Sequence, residues 1–169
     1  MSFPYHRISI VGPGGAGKST LGRRLRDILH LPLYPLDNIF WKKDKSHIER
    51  SEFDKRLGEI LKQEEWIIDG DYSRTYKVRL EKSDLIIFLD FPLKDCLKAV
   101  EGRVGKVRED IPWIEDTFDP EFKEWIINWF KGKKPKLYEL LEQYKDTKTI
   151  KILKNRKEID GFCKEIESK

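Results

Sequence analysis

The stretch Gly12-Pro13-Gly14-Gly15-Ala16-Gly17-Lys18-Ser19 satisfies every fixed position of the phosphate-binding pattern G-x-x-x-x-G-K-[ST]. It lies between an apolar run, Ile8-Ser9-Ile10-Val11, and a helical pattern beginning near Lys18. This strand–loop–helix setting gives the motif its mechanism. Glycines let the loop curl so that successive N–H groups point inward at phosphate oxygens. The following helix adds the positive end of its dipole. Lys18 supplies a mobile cation for the outer phosphates, and the Ser19 hydroxyl is placed to hold Mg²⁺. Pro13 has no N–H, so the donors come from Gly14 onward.

The remaining elements alternate. A helix over Lys18 to Leu31 carries Leu21, Leu25, Ile28 and Leu29 on one face and stops at Pro32. Leu33 to Leu36 reads as a short strand closing at Asp37, and Ser51 as the cap of a helix bearing Phe53, Leu57, Ile60 and Leu61. Trp66-Ile67-Ile68 is a strand ending at Asp69-Gly70-Asp71, and Leu85 to Leu89 is a strand buried on both faces. A helix with Cys96, Leu97 and Val100 follows, then a last strand over Thr149 to Leu153 and a helix with Ile159, Phe162, Cys163 and Ile166. Such alternation predicts a parallel sheet wrapped by helices, with ligands at the carboxyl ends of the strands. Asp37, Asp69, Asp71 and the glycine loop all fall there.

With 169 residues the chain is one domain, residues 1–169, with an insert over about 101–136 that is too long for a bare loop. The insert holds Arg103, Lys106 and Arg108, then Phe118, Phe122, Trp125 and Trp129 at helical spacing. It reads as a flap of one or two helices over the site, its aromatics packing onto the body. The net charge of +4 and pI of about 8.9 suit a protein that handles phosphates and fall short of a dedicated nucleic-acid binder. The run Lys131 to Lys136 reads as a solvated loop. Two cysteines, both on apolar helix faces, predict buried thiols and no disulfide. No leader or long apolar run is present, which predicts a cytoplasmic protein. The oligomeric state is left open, since the aromatic stripe can pack internally or against a partner.

Asp69 follows an apolar strand downstream of the glycine loop, the position of an acid that orders Mg²⁺ water; the alternative is a turn cap before Gly70. The residue after it is glycine, with no glutamate to activate water, which points to transfer onto an acceptor other than water. Asp37 either orients an acceptor hydroxyl or caps a turn. Asp71 lies beside it, and Arg74 either grips an anionic acceptor through its fork or is a surface arginine. Arg103 and Arg108 are candidates for closing onto the transferring phosphoryl group.

The chain resembles the adenylate-kinase-like P-loop kinases, and within them the group labelled DNA topology modulation proteins. The resemblance rests on Gly14–Thr20, Leu36–Trp41 (LDNIFW), Trp66–Ser73 (WIIDGDYS), Ile86–Pro92, Trp125–Phe130 and Leu153–Arg156. It implies an α/β, three-layer P-loop NTPase fold: a five-stranded parallel sheet in order 2-3-1-4-5, helices on both faces and a small helical lid. It implies ATP on Gly12 and Gly14, Gly15, Ala16, Gly17, Lys18, Ser19 and Thr20, with the adenine against Asn155 and Arg156. It further implies Mg²⁺ near Ser19 and Asp69, and an acceptor near Asp37, Asp71 and Arg74. The group often has Asn at the position of Asp71, and the lid here carries fewer arginines. The reading is an ATP-dependent phosphotransferase acting on a small molecule. The alternative is a nucleotide-dependent regulator that binds DNA and affects its topology.

Overall fold

In the computed structural model, which describes residues 3–169, five strands form one parallel sheet in the order β2-β3-β1-β4-β5. They are β1 (Arg7–Val11), β2 (Leu33–Pro35), β3 (Trp66–Asp69), β4 (Leu85–Leu89) and β5 (Thr149–Leu153). The expected order and layering are both present. Alternation along each strand divides the core into two faces. Ile8, Ile10, Ile67, Leu85, Ile87 and Leu89 point to one side, under α1 (Lys18–Leu29), α5 (Leu93–Glu101) and α8 (Arg156–Glu167). Val11, Ile86 and Phe88 point to the other side, with Trp66 and Ile68. That side is covered by α3 (Arg50–Leu61), α4 (Tyr76–Lys82) and α7 (Lys134–Tyr144). Burial on both faces is why the strands read as continuous apolar runs. Cys96 and Cys163 are buried and unpaired.

Several boundaries differ from expectation. The first helix ends at Leu29, two residues early, because His30 adopts a left-handed conformation (φ 57°) and its N–H returns to the Arg26 carbonyl. The second strand stops at Pro35, and Asp37 sits in the first turn of a short helix, α2 (Leu36–Phe40), rather than at a strand end. The third helix begins before Ser51, with Glu49 at its N-cap and no side-chain cap.

The insert differs most. Residues 102–119 contain no helix, only turns and bends, so the segment over the cleft is an irregular loop and not a helical lid. Its helical remainder belongs to the body: α6 (Pro120–Asn128) is capped by the Asp119 carboxylate on the Glu121 N–H, and runs through a wide π-turn (Trp129–Lys133) into α7. Pro135 accounts for that turn. It has no N–H and its ring crowds the carbonyl four residues back, and the Lys134 N–H bonds to Trp129 O instead. Trp129, at the start of that turn, is buried in the core against Phe88, whereas Trp125 stays partly exposed. The basic run 131–136 is therefore helical, not a solvated loop. No helix among the described residues is long and apolar enough to cross a membrane.

Candidate functional site

The glycine loop joins β1 to α1. Gly15 has φ +81°, and a Cβ there would lie 2.2 Å from the Cys96 carbonyl oxygen, so α5 packs against bare backbone. Ala16 N–H closes a turn onto the Pro13 carbonyl. The N–H groups of Gly14, Gly15 and Gly17 have no protein acceptor among the described residues, so they remain available to an anion. Lys18 folds back, donating from Nζ to the Pro13 carbonyl at 2.7 Å. Burial lowers its pKa, against the attraction of Asp71, Asp69 and Asp37. Thr20 is exposed and is not among the residues bordering the cleft.

An open cleft extends from Gly14, Gly15, Lys18 and Ser19 past Asp37, Asp69 and Asp71 to Arg103 and Arg108. The structure thus brings together the glycine loop, all three strand-edge carboxylates and both loop arginines. Burial raises the Asp69 pKa to about 7, with Asp37 and Asp110 adding repulsion and Lys18 opposing it. Its Oδ2 is buried without a hydrogen-bond partner among the described residues. That oxygen lies 3.3 Å from where a Cβ would stand on Gly22, one helical turn beyond Ser19. Asp37 accepts a hydrogen bond from the Tyr72 hydroxyl at 2.6 Å, and its pKa is also raised, by burial first. Asp71 Oδ1 accepts from Trp129 Nε1 at 2.8 Å and from the Tyr76 hydroxyl; Lys133 Nζ lies 3.5 Å from its Oδ2.

The two arginines differ. Arg108 forks onto Asp110, with Nε 3.0 Å from Oδ1, and reaches Glu115 at 3.2 Å. Arg103 lines the same cleft with no carboxylate within ion-pair distance among the described residues. Burial and the neighbouring Arg108 charge lower its pKa. Arg74 also borders the cleft, but it is exposed and its fork is occupied by Asp54 at 2.8 and 3.1 Å. Asn155 caps α8 by accepting from the Glu158 N–H at 2.9 Å, Arg156 is exposed, and neither borders the cleft.

Three features have no distinctive sequence signal. Asp110 is 2% exposed and accepts a hydrogen bond from Ser19 Oγ at 3.1 Å across 91 residues of chain. Arg79 is fully buried and donates to the carbonyls of Gly70 (3.1 Å) and Asp71 (2.6 Å), holding the turn that presents Asp71. Phe40, Trp41, Trp113, Phe122 and Trp125 form the outer cleft walls; only the spacing of the last two was a signal.

No protein-family model matches the chain. In sequence it is 36% identical over 121 residues to a shikimate kinase of Pseudoalteromonas atlantica, covering 68% of this chain and 61% of that protein. It is 35% identical over 108 residues to an adenylate kinase of Thermosipho africanus, covering 62% and 49%. The chain therefore spans about half to three fifths of the length of these relatives. The solved shikimate kinase from Acinetobacter baumannii in complex with shikimate superposes with a TM-score of 0.62 at 18% identity, over 96% of this chain and 91% of that one. Shikimate kinase from Bacteroides thetaiotaomicron gives 0.60 at 18%, over 97% of each. The chain has the P-loop kinase fold, and its sequence relatives are shikimate kinase and adenylate kinase.

Proposed function

We propose that this protein is an ATP-dependent phosphotransferase, similar to nucleotide kinases, that moves the γ-phosphoryl group of Mg-ATP to a hydroxyl or phosphate of a small molecule. The observation that carries the reading is one cleft holding the glycine loop, Lys18, the carboxylates Asp37, Asp69 and Asp71, and Arg103, which has no ion-pair partner among the described residues. The free loop amides bind phosphate oxygens. Lys18 exchanges the Pro13 carbonyl, its 2.7 Å acceptor, for the outer phosphates. Asp37, its orientation set by Tyr72, holds the acceptor hydroxyl and accepts its proton. Arg103 is the better of the two loop arginines for the phosphoryl oxygens, because Arg108 is already bound to Asp110 and Glu115.

Ser19 and Asp69 fit Mg²⁺: both are hard oxygen donors, and the Asp69 Oδ2 is buried with no protein partner among the described residues. Mg²⁺ takes one or two carboxylates plus phosphates and water rather than a protein cage, and among the described residues no group of three or more His, Cys, Asp or Glu is arranged to hold a metal ion by itself. When bound, the ion neutralises charge on the phosphates. Kinase relatives and the neighbour solved with shikimate support a small-molecule acceptor. The narrower resemblance to DNA topology modulation proteins has no support from these relatives. In the basic run, Lys133 faces Asp71 and Lys134 pairs with Asp90, which leaves no continuous basic stripe for DNA.

The test is ADP release from Mg-ATP against a panel of nucleosides, nucleotides and small hydroxy compounds, with Lys18→Ala as blank. Stimulation by one class, lost in the variant, is expected and names the acceptor. Turnover indifferent to every compound and to the substitution overturns the reading.

A further inference from the structure

We propose that the phosphoryl acceptor is a neutral nucleoside, whose sugar hydroxyls donate to Asp37 and Asp71 and whose flat base lies on an aromatic wall that begins at Tyr72. The inference deepens the phosphotransferase reading and rests on it for the identity of the other substrate. Asp71 is 7% exposed, borders the cleft, and has Trp129 Nε1 and the Tyr76 hydroxyl on Oδ1. Its Oδ2 is buried and makes no hydrogen bond among the described residues; the Lys133 ammonium stands 3.5 Å away. A buried carboxylate oxygen without a hydrogen bond is costly, and an ionised carboxylate can only accept. The group that completes it must therefore donate, as a hydroxyl does and an ionised phosphate does not. Asp37 makes the same demand, with one oxygen engaged by Tyr72 at 2.6 Å. A monophosphate set beside these carboxylates meets like charge. Two cations bordering the cleft are already taken, Arg74 by Asp54 and Arg108 by Asp110 and Glu115. Lys45 and Arg50 also border it but are exposed. Lys18 and Arg103 serve the phosphoryl group being transferred.

The turn that carries Asp71 also starts the wall. Fully buried Arg79 holds the Gly70 and Asp71 carbonyls, and Tyr72 sits at a left-handed φ of 33°. A non-glycine residue keeps that conformation only where its surroundings over-determine it, as they do at ligand clamps. Tyr72 gives its hydroxyl to Asp37, and its ring centroid lies 5.3 Å from that of Phe40. Phe40 lies 4.8 Å from Trp41, and Trp41 lies 5.4 Å from Trp113 on the loop after α5. Four rings thus run in unbroken contact from the Asp37 carboxylate along the cleft, and Trp41 and Trp113 are only partly buried. A flat base covers such faces by stacking. A polyol without a ring satisfies the carboxylates and leaves the wall bare, a base alone does the reverse, and a nucleoside satisfies both. In the transfer, the acceptor hydroxyl oxygen bonds to the γ-phosphorus of ATP as the bond to the bridging oxygen of the β-phosphate breaks. ADP leaves, and the hydroxyl proton passes to Asp37.

The experiment is a calorimetric titration of adenosine, guanosine, cytidine and thymidine, of their 5′-monophosphates and of ribose into protein saturated with a non-hydrolysable ATP analogue. At least one nucleoside is expected to bind at least about tenfold more tightly than its own monophosphate and than ribose. In Asp71→Asn the Kd of that nucleoside is expected to rise at least about tenfold and that of its monophosphate to fall. Trp113→Leu is expected to raise the nucleoside Kd about tenfold, and Trp113→Phe, which keeps a ring, by a few-fold at most. Val78→Ala, exposed on α4 and outside the cleft, leaves every value unchanged. Thermal melts confirm that each variant is folded, and the ranking of ligands on wild type needs no variant. Tighter binding of the monophosphates or of ribose, or no nucleoside Kd below about 1 mM, overturns the acceptor assignment; the phosphotransferase reading stands if the ATP analogue binds and Lys18→Ala abolishes that binding. A wild type that binds a nucleoside but no ATP analogue overturns the phosphotransferase reading and the acceptor role with it.

Discussion

At the scale of single residues, position in the fold gives like side chains different chemistry. The pKa values of Asp69 and Asp37 are both raised by burial, yet Asp37 accepts from Tyr72 at 2.6 Å while Asp69 Oδ2 has no hydrogen-bond partner among the described residues. Burial holds the Asp69 pKa at about 7, above its unfolded value. The folded state therefore binds that proton more tightly, so stability falls as pH rises from about 4 toward 7 and the penalty is complete above 7. Asp69→Asn is expected to stabilise the metal-free protein at pH 8 by the order of a few kcal/mol, and so to raise its thermal midpoint, with little change at pH 4. Melts at the two pH values decide it, and a variant destabilised equally at both contradicts the account. The arginines separate in the same way. Arg103→Ala is expected to lower kcat at least about 100-fold with the fold intact. Arg74→Ala loses a pair more than two-fifths exposed on both sides, worth at most about 1 kcal/mol, and should leave turnover within a few-fold. Steady-state ADP release on both variants makes the comparison.

Among the elements, the continuous helix from α6 through the π-turn to α7 is tied to the end of β3. Trp129, where α6 meets the π-turn, buries its ring against Phe88 and donates to Asp71 at 2.8 Å. Hydrogen bonds to charged groups contribute about 1.5–3 kcal/mol, so Trp129→Phe, which keeps a ring and loses the N–H, is expected to destabilise by roughly that amount. It should also weaken acceptor affinity more than ATP affinity, because Asp71 faces the cleft beyond the glycine loop. Denaturant unfolding and separate KM values for the two substrates check this. A variant of unchanged stability would mean that Tyr76 alone holds Asp71. The aromatic spacing Phe122, Trp125, Trp129 was legible as a helix, but which of its indoles the body covers was not. One indole became core and another became cleft wall.

For the whole molecule, the ligand is expected to be part of the fold's stability. A cleft that gathers Lys18, three carboxylates and two arginines in one crowded region leaves charges imperfectly compensated until phosphate and cation arrive. Mg-ATP at about 100 times its Kd adds about 2.7 kcal/mol, and for a chain of this size that raises Tm by roughly 5–10 °C. The shift should be lost in Lys18→Ala, as a thermal melt with and without Mg-ATP will report. Much of this assembly was readable from the chain. The glycine loop, the apolar strands and the Asp residues after them depend on local backbone needs and on period-two or period-3.6 burial, which any segment displays in its own residues. From these follow the parallel sheet and the placing of Asp37, Asp69 and Asp71 at one edge. Asp110 against Ser19, Arg79 beneath the Asp71 turn, and the pairing of Arg108 but not Arg103 are contacts across 91, 8 and 2 residues respectively. Their partners are chosen by packing geometry, and a charged residue bound for the core carries no local mark that separates it from one bound for solvent. Sequence alone therefore determined the sheet and the phosphate cradle. Which charges meet in the cleft was decided only when the chain had folded, because burial and pairing are properties of neighbours brought together in space.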